Sequence, residues 1–328
     1  MTPRYFYISS RGASASTWLF NLLNTHPNIL TVHGTRSIPP YQSGTADQSA
    51  KEFFNRFPAY RDVRKTNAHI IGGIHGYYGL SAKLAVEKHG GVFLSIIRDP
   101  IKRIHSLFSH SFRNYIENSN GLSNNASIYD MIKNDYLDFR PDRVALNKDY
   151  QRHKIKSTLS TLKATLKGET RISFPSVYTI NGEKLLFTPV EQTFLDLCAS
   201  IFNDDLTLMR ALNPNDIYKM EDIVSNQATC MKLMAKISSE TISFSESDIK
   251  NISGHFNTKI RSHAKAASSA EDVYNTWPIS FKFIYQTILK HLGGANIVAE
   301  YKARFNYDLI PPLEHAFYVS KGRIEQRS

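Results

Sequence analysis

Cysteine is scarce: Cys198 and Cys230 are the only two in 328 residues. One pair in a chain this long is no disulfide framework, and neither stands at a C-x-x-C or Cys/His metal spacing. No stretch reaches the roughly 18 apolar residues that a membrane span needs. The amino-terminal MTPRYFYISS enters a strand directly, without the charged and then apolar segments of a secretory signal. These absences lead us to expect a cytoplasmic protein. Internal repeats, low-complexity runs and an obvious linker are also missing. Acidic residues are outnumbered, 29 against 40 Lys and Arg, for a formal charge of +11. That surplus suits an anionic partner: nucleic acid, a membrane surface, or a phosphorylated or sulfated small molecule. A basic solvated face gives the same count.

What is present is a repeating order of elements. Tyr5 to Ser9 is apolar and β-prone, and Thr17 to Leu23 carries apolar residues at helical spacing up to the turn NTHPN. ILTV and HIIGGI read as two further strands, with a short helix over Lys51 to Phe57 between them. Ser81 to His89 reads as a helix stopped by Gly90 and Gly91. VFLSII is a continuous apolar strand of the kind buried on both faces of a parallel sheet, and RDPIKRIHSLFSH turns from it into a helix with Pro100 in the first turn. Strand and helix alternate, so the expected class is α/β with a central parallel sheet flanked by helices.

Beyond this the chain gains elaborations. Asn124 to Lys167 looks helical and basic, and ISFPSVYTINGEKLLFTP reads as a hairpin turning at Asn181-Gly182. VEQTFLDLCASIF is an amphipathic helix, DIYKMED a late short strand, and FKFIYQTILKHL and IVAEYKARF are helices. The expectation is one domain, 1–328, with an insertion over about 117–190.

Ligands of such sheets lie beyond the carboxyl ends of the strands. SSRGASAST lies at one such end, RDPIKR at another, and His33 and His75 close two more strands. A helix start offers unpaired N–H groups and partial positive charge to an anion. Small residues let the backbone come close, and Ser14, Ser16 and Thr17 add hydroxyls. The Walker pattern fails, because RGASAST has no lysine before its Ser-Thr pair. A plain helix cap would use the same residues. At the second end, Arg98 can grip a phosphate with its planar fork and Ser106, eight residues on, adds a hydroxyl. Two anion sites suggest one ligand with two separated anionic groups.

These two segments resemble the donor motifs of sulfotransferases that use 3′-phosphoadenosine 5′-phosphosulfate (PAPS). SSRGASASTWLFNLLNTHPNI resembles their 5′-phosphosulfate loop and RDPIKRIHSLFSH their 3′-phosphate motif. IYKMEDIVSN is similar to their strand-to-helix YEDL segment and YKARFNYDL to a late Y…GYDL stretch. The resemblance implies a P-loop NTPase-like fold and a donor site over Arg11, Gly12, Ala13, Ser14, Ala15, Ser16, Thr17 and Trp18, with Arg98 and Ser106 on the 3′ phosphate. It implies PAPS as donor, adenosine 3′,5′-bisphosphate (PAP) as product, and no metal. Thr17 to Pro39 also matches the protein-tyrosine sulfotransferases without gaps, sharing the Thr, the HP and the TR.IP. The chain departs from the family at Ala13, where a Lys or Arg meets the leaving phosphate. Arg11, two residues earlier, is the cation placed to replace it.

Sulfuryl transfer needs a positioned acceptor, a base for its proton and stabilisation of the leaving phosphate. His75 is the first candidate base: it precedes Arg98 by 23 residues, an offset similar to that of the catalytic His in cytosolic sulfotransferases, whose nearby Lys corresponds to Gly73. His33 is the second: the tyrosine sulfotransferases carry two Glu at His33 and Gly34, and their base is the latter. Arg36 matches their Arg, which holds acceptor or sulfate. Tyr77 and Tyr78 are candidates for the acceptor pocket, and the insertion would lie on the acceptor side. The SKGR stretch near the carboxyl terminus is similar to a basic segment placed on the 3′ phosphate.

Two other readings stand beside this one. A P-loop kinase-like transferase predicts a Walker Lys, which is missing. A nucleic-acid-binding protein predicts a basic cluster interleaved with aromatics, whereas the basic run from Arg152 to Lys167 has no aromatic after Tyr150.

Overall fold

Short apolar runs separated by helices of matching spacing build one parallel sheet. The structure, a computed structural model, describes residues 4–10, 15–33, 68–74, 79–109, 177–180, 183–187, 189–257, 269–310, 317–320 and 323–326. The expected helices at 51–57 and 124–167 lie outside them. Contacts divide the chain into two compact units: 1–98 with 204–267, and 99–203 with 268–328.

The first unit opens with β1 (Arg4–Ser10), α1 (Ser16–Leu23) and β2 (Ile29–His33). It continues through β3 (Ile70–Ile74), α2 (Gly79–Lys88) and β4 (Val92–Ile97). The chain then enters the second unit through α3, residues 100–109, followed by the antiparallel hairpin β5 (Val177–Ile180) and β6 (Glu183–Leu186). The long helix α4 (Pro189–Ala211) begins in the second unit and ends in the first. There β7 (Ile217–Lys219), α5 (Met220–Ser225), α6 (Gln227–Ile237) and α7 (Glu246–Asn257) complete that unit. The second unit closes with α8 (Ala270–Asn275), α9 (Ile279–His291), α10 (Ala295–Phe305) and the hairpin β8 (Phe317–Ser320) with β9 (Arg323–Gln326). DIYKMED is thus strand only as far as Lys219; Met220 starts a helix with two acidic residues, Glu221 and Asp222, in its first turn, where the dipole favours them.

The five strands of the first unit lie in the order β2-β3-β1-β4-β7, with every neighbouring pair parallel. Side chains alternate between the two faces of a strand. On one face Phe6, Ile8, Ile70, Ile74, Leu94 and Ile96 meet Leu19, Leu22 and Leu23 of α1, with α6 and α7 adding Leu233, Met234 and Ile252. On the other, Tyr7, Ile71 and Phe93 meet Val86 of α2 and Leu208 and Leu212 around the end of α4. Each such fully buried aliphatic side chain contributes about 1.5–3 kcal/mol. The α/β class with a helix-flanked parallel sheet therefore holds. No described helix is long and apolar enough to cross a membrane.

Two local devices fix this sheet. A Cβ at Gly72 would run into the carbonyl oxygen and ring of Phe6, so only glycine lets β3 close against β1 there. At the β2 edge, the Asn24 amide accepts from Thr31 N at 2.9 Å and donates to Thr31 O at 3.2 Å and Phe20 O at 2.9 Å. One side chain thus ends α1 and occupies the open edge of β2.

Candidate functional site

The connections around β1 select the place where a ligand fits. The helix after β1 covers one face and the helix after β3 covers the other, and β1 and β3 are neighbours. Crossovers that leave adjacent strands toward opposite faces open a crevice at their carboxyl ends. Register sets the height of each residue there. Ile8 and His33 both align with Ile74, while Ser10 extends two residues further and aligns with Ile96 of β4.

Ser10 ends β1 on the face shared by Phe6 and Ile8, the face that α1 covers. It is 1% exposed, and its hydroxyl has no hydrogen-bond partner among the described residues. From there five residues lead to α1. Ala15 sits before the helix at φ 52° and ψ 25°, a left-handed conformation that costs an alanine roughly 1 kcal/mol. No described side chain caps the helix, and the first intrahelical bond runs from Leu19 N to Ala15 O at 3.0 Å. The amides of Ser16, Thr17 and Trp18 precede that bond and have no acceptor within the helix.

His33 reaches this helix start from the end of β2. Its Nε2 lies 3.2 Å from Ser16 Oγ, and its ring stands edge-on to Phe20 with centroids 5.6 Å apart. A neutral imidazole accepts the Ser16 proton or donates its own, according to tautomer. Ser16 is buried, Thr17 exposed and Trp18 half-buried. The Trp18 ring is flanked by His255 and Phe256, each with its centroid 5.1 Å away.

The end of β4 is built differently. Arg98 is partly buried directly after the strand. Asp99 follows, and its Oδ1 accepts from Lys102 N at 3.0 Å, capping α3 with its own carboxylate. Ser106 lies partly buried on that helix. Its neighbour His105 accepts at Nδ1 from Trp277 Nε1 at 3.4 Å, which leaves Nε2 as the protonated nitrogen of the neutral ring. Arg103 is buried on the same helix.

Of the expected site residues, Ala15, Ser16, Thr17, Trp18, His33, Arg98 and Ser106 are described. Ser16 and His33 are brought into contact. Arg11, Gly12, Ala13, Ser14, Arg36, His75, Tyr77 and Tyr78 lie outside the described residues. Sequence reasoning missed Ser10, whose only signal is its place at the end of an alternating strand. It also missed His255, which stands in no motif.

Other chemistry is less well served. Burial raises the Cys198 thiol well above its ordinary range and pushes Cys230 up to about 12, so neither supplies a thiolate near neutrality. Among the described residues, no group of three or more His, Cys, Asp or Glu is placed to hold a metal.

No protein-family model matches the chain, and no curated protein matches it in sequence. Among solved structures, mouse sulfotransferase SULT7A1 complexed with PAP aligns over 92% of this chain and 88% of its own, at 11% identity and a TM-score of 0.44. APE1195 aligns over 38% of this chain and 80% of its own, at 14% identity and a TM-score of 0.24. Likenesses this distant carry no argument about function, which rests instead on the residues at the sheet's carboxyl edge.

Proposed function

We propose that the chain is a sulfotransferase that moves the sulfuryl group of PAPS to a hydroxyl or amine of an acceptor. The observation that carries this reading is the His33–Ser16 contact at the uncapped start of α1, in the crevice beyond β1 and β3. It joins an anion cradle to a candidate base, the two parts that transfer requires. The motif resemblance supplies the ligand. In this reading Arg11 to Trp18 take the 5′ phosphosulfate, and Arg98 and Ser106 take the 3′ phosphate. Arg36, Tyr77, Tyr78 and the segment 117–190 serve the acceptor.

The acceptor oxygen attacks sulfur in line as the bond from sulfur to the 5′-phosphate oxygen breaks. The acceptor proton passes to a neutral imidazole, and PAP leaves with the electron pair. His33 is our first choice for that imidazole because of its contact with Ser16, with His75 the alternative. The charge developing on the leaving phosphate falls on the α1 amides and on Arg11, which stands in for the cation absent at Ala13.

Calorimetric titration with PAP, Mg-ATP and single-stranded DNA, followed by transfer assays from labelled PAPS to a panel of hydroxylated acceptors, tests the reading. Preferential binding of PAP with sulfuryl transfer supports it. Absence of PAP binding, or preference for ATP or DNA, refutes it. His33→Ala is expected to abolish turnover with PAP affinity nearly intact; if only His75→Ala does so, the base is His75.

A further inference from the structure

The first turn of α1 begins under two handicaps: a left-handed Ala15 and no capping side chain. A cradle for an anion nevertheless works best when its donors are already held in place. That this turn faces a ligand rests on Ser10 as well as on the helix end. Ser10 carries a 1% exposed hydroxyl, without a hydrogen-bond partner among the described residues, on the same face of the sheet, at the strand end leading into the turn.

One residue outside every motif grips this turn. The Nε2 atom of His255 lies 3.1 Å from the Trp18 carbonyl oxygen. A carbonyl only accepts, so Nε2 carries the hydrogen and donates. The His255 ring also lies against the Trp18 indole at 44° between planes. His255 itself stands on a firm support, the last turn of α7. At the other end of that helix Ser245 N and Oγ donate to Asp248 Oδ2, and Asp248 N donates back to Ser245 Oγ. Midway, Ile252 is fully buried and Ser253 Oγ donates to Gln227 Oε1 on α6 at 2.9 Å.

We infer that His255 is a positioning residue for the anion-binding turn: its Nε2–H bond to the Trp18 carbonyl holds the Ser16 to Trp18 amides ready for the donor's 5′ group. The inference deepens the sulfotransferase reading and rests on it for the identity of the ligand. In this role His255 acts through the main chain of α1 and not on the donor or the acceptor.

Three variants separate the bond from the ring. His255→Ala removes both, His255→Phe keeps a ring without the donor, and His255→Gln keeps an N–H donor without the ring. PAP affinity is expected to fall about fivefold in the Ala and Phe variants, the scale of one net hydrogen bond, and to return to within about twofold of wild type in the Gln variant. The PAPS KM should rise in parallel while the acceptor KM and kcat stay level. Equal affinity in wild type and His255→Ala overturns the inference, as does equal weakening in all three variants.

Amide hydrogen exchange at Leu19 and Phe20 gives a readout independent of any ligand. Faster exchange there in His255→Ala, restored in His255→Gln and with Leu94 of β4 unchanged, supports the latch; unchanged exchange overturns it. If wild type binds no PAP, the sulfotransferase reading fails, and these exchange rates decide whether His255 holds the turn.

Discussion

The helices that follow β1 and β4 begin in opposite ways. Before α1 stands Ala15, left-handed and offering no side-chain acceptor; before α3 stands Asp99, whose carboxylate already takes the Lys102 amide. A helix start with no described side-chain cap presents its main chain at the first, whereas a carboxylate already occupies the second. In the proposed reading the 5′ end of the donor therefore falls on the α1 main chain, whereas the 3′ phosphate relies on the side chains of Arg98 and Ser106. Support differs as well. His33 reaches Ser16 and His255 reaches Trp18 at the start of α1, while the start of α3 is capped by its own Asp99.

The comparison breaks most sharply at Arg98. Arg98→Ala is expected to weaken PAP binding roughly a hundredfold, the worth of a bidentate charge-assisted pair, and titration calorimetry reads this directly. An unchanged affinity would mean that side chains do not grip the ligand beyond β4. A smaller effect is expected at the sheet that carries α1. Gly72→Ala forces a methyl into Phe6 and should cost about 2–3 kcal/mol, seen as a lower denaturation midpoint in urea.

Asp99→Ala should cost about 1 kcal/mol of stability through the lost cap. PAP affinity should change little; a large gain would show that the α3 terminus is the better anion site. Ala15→Gly relieves the left-handed conformation and is expected to stabilise the fold by about 0.5 kcal/mol, measured by urea unfolding.

The smallest effect concerns pH and the support of His255. The Ser245 hydroxyl, followed in weight by the Ser245 amide among the favourable contacts, holds the Asp248 carboxyl below its ordinary value. Its folded-state pKa is depressed, so its stabilisation is present above the unfolded value and is lost as pH falls through the folded one. A slight loosening of α7 in acid follows, absent in Asp248→Asn, and exchange of the Ile249 amide between pH 5 and pH 2 measures it.

Much of the sheet was legible because apolar runs such as VFLSII leave few alternatives once they are bounded by glycine and charge. The α1 helix was legible from Leu19, Leu22 and Leu23, which form one stripe. The start of α5 inside DIYKMED was legible only through the resemblance of IYKMEDIVSN to a strand-to-helix segment, because Tyr218 to Asp222 carry no period that separates strand from helix. The hairpin of β8 and β9 is short and partly polar, and the sequence there is legible only as the charge of SKGR. In the site, Ser16, His33 and Arg98 were named from their place at strand ends, and Trp18 from the motif resemblance. His255 could not be, since 237 positions separate it from Trp18 and no local pattern joins two residues so far apart. The strain at Ala15 was equally silent, because alanine gives no hint of a left-handed backbone.

The central claim is that α1 begins as an open anion cradle, and amide chemical shifts test it most directly. In protein labelled at Ser and Trp, addition of PAP should move the backbone amides of Ser16 and Trp18 strongly downfield, with smaller changes at Ser95 within β4. Movement confined to residues elsewhere, with Ser16 and Trp18 unaffected at saturating PAP, would contradict the account.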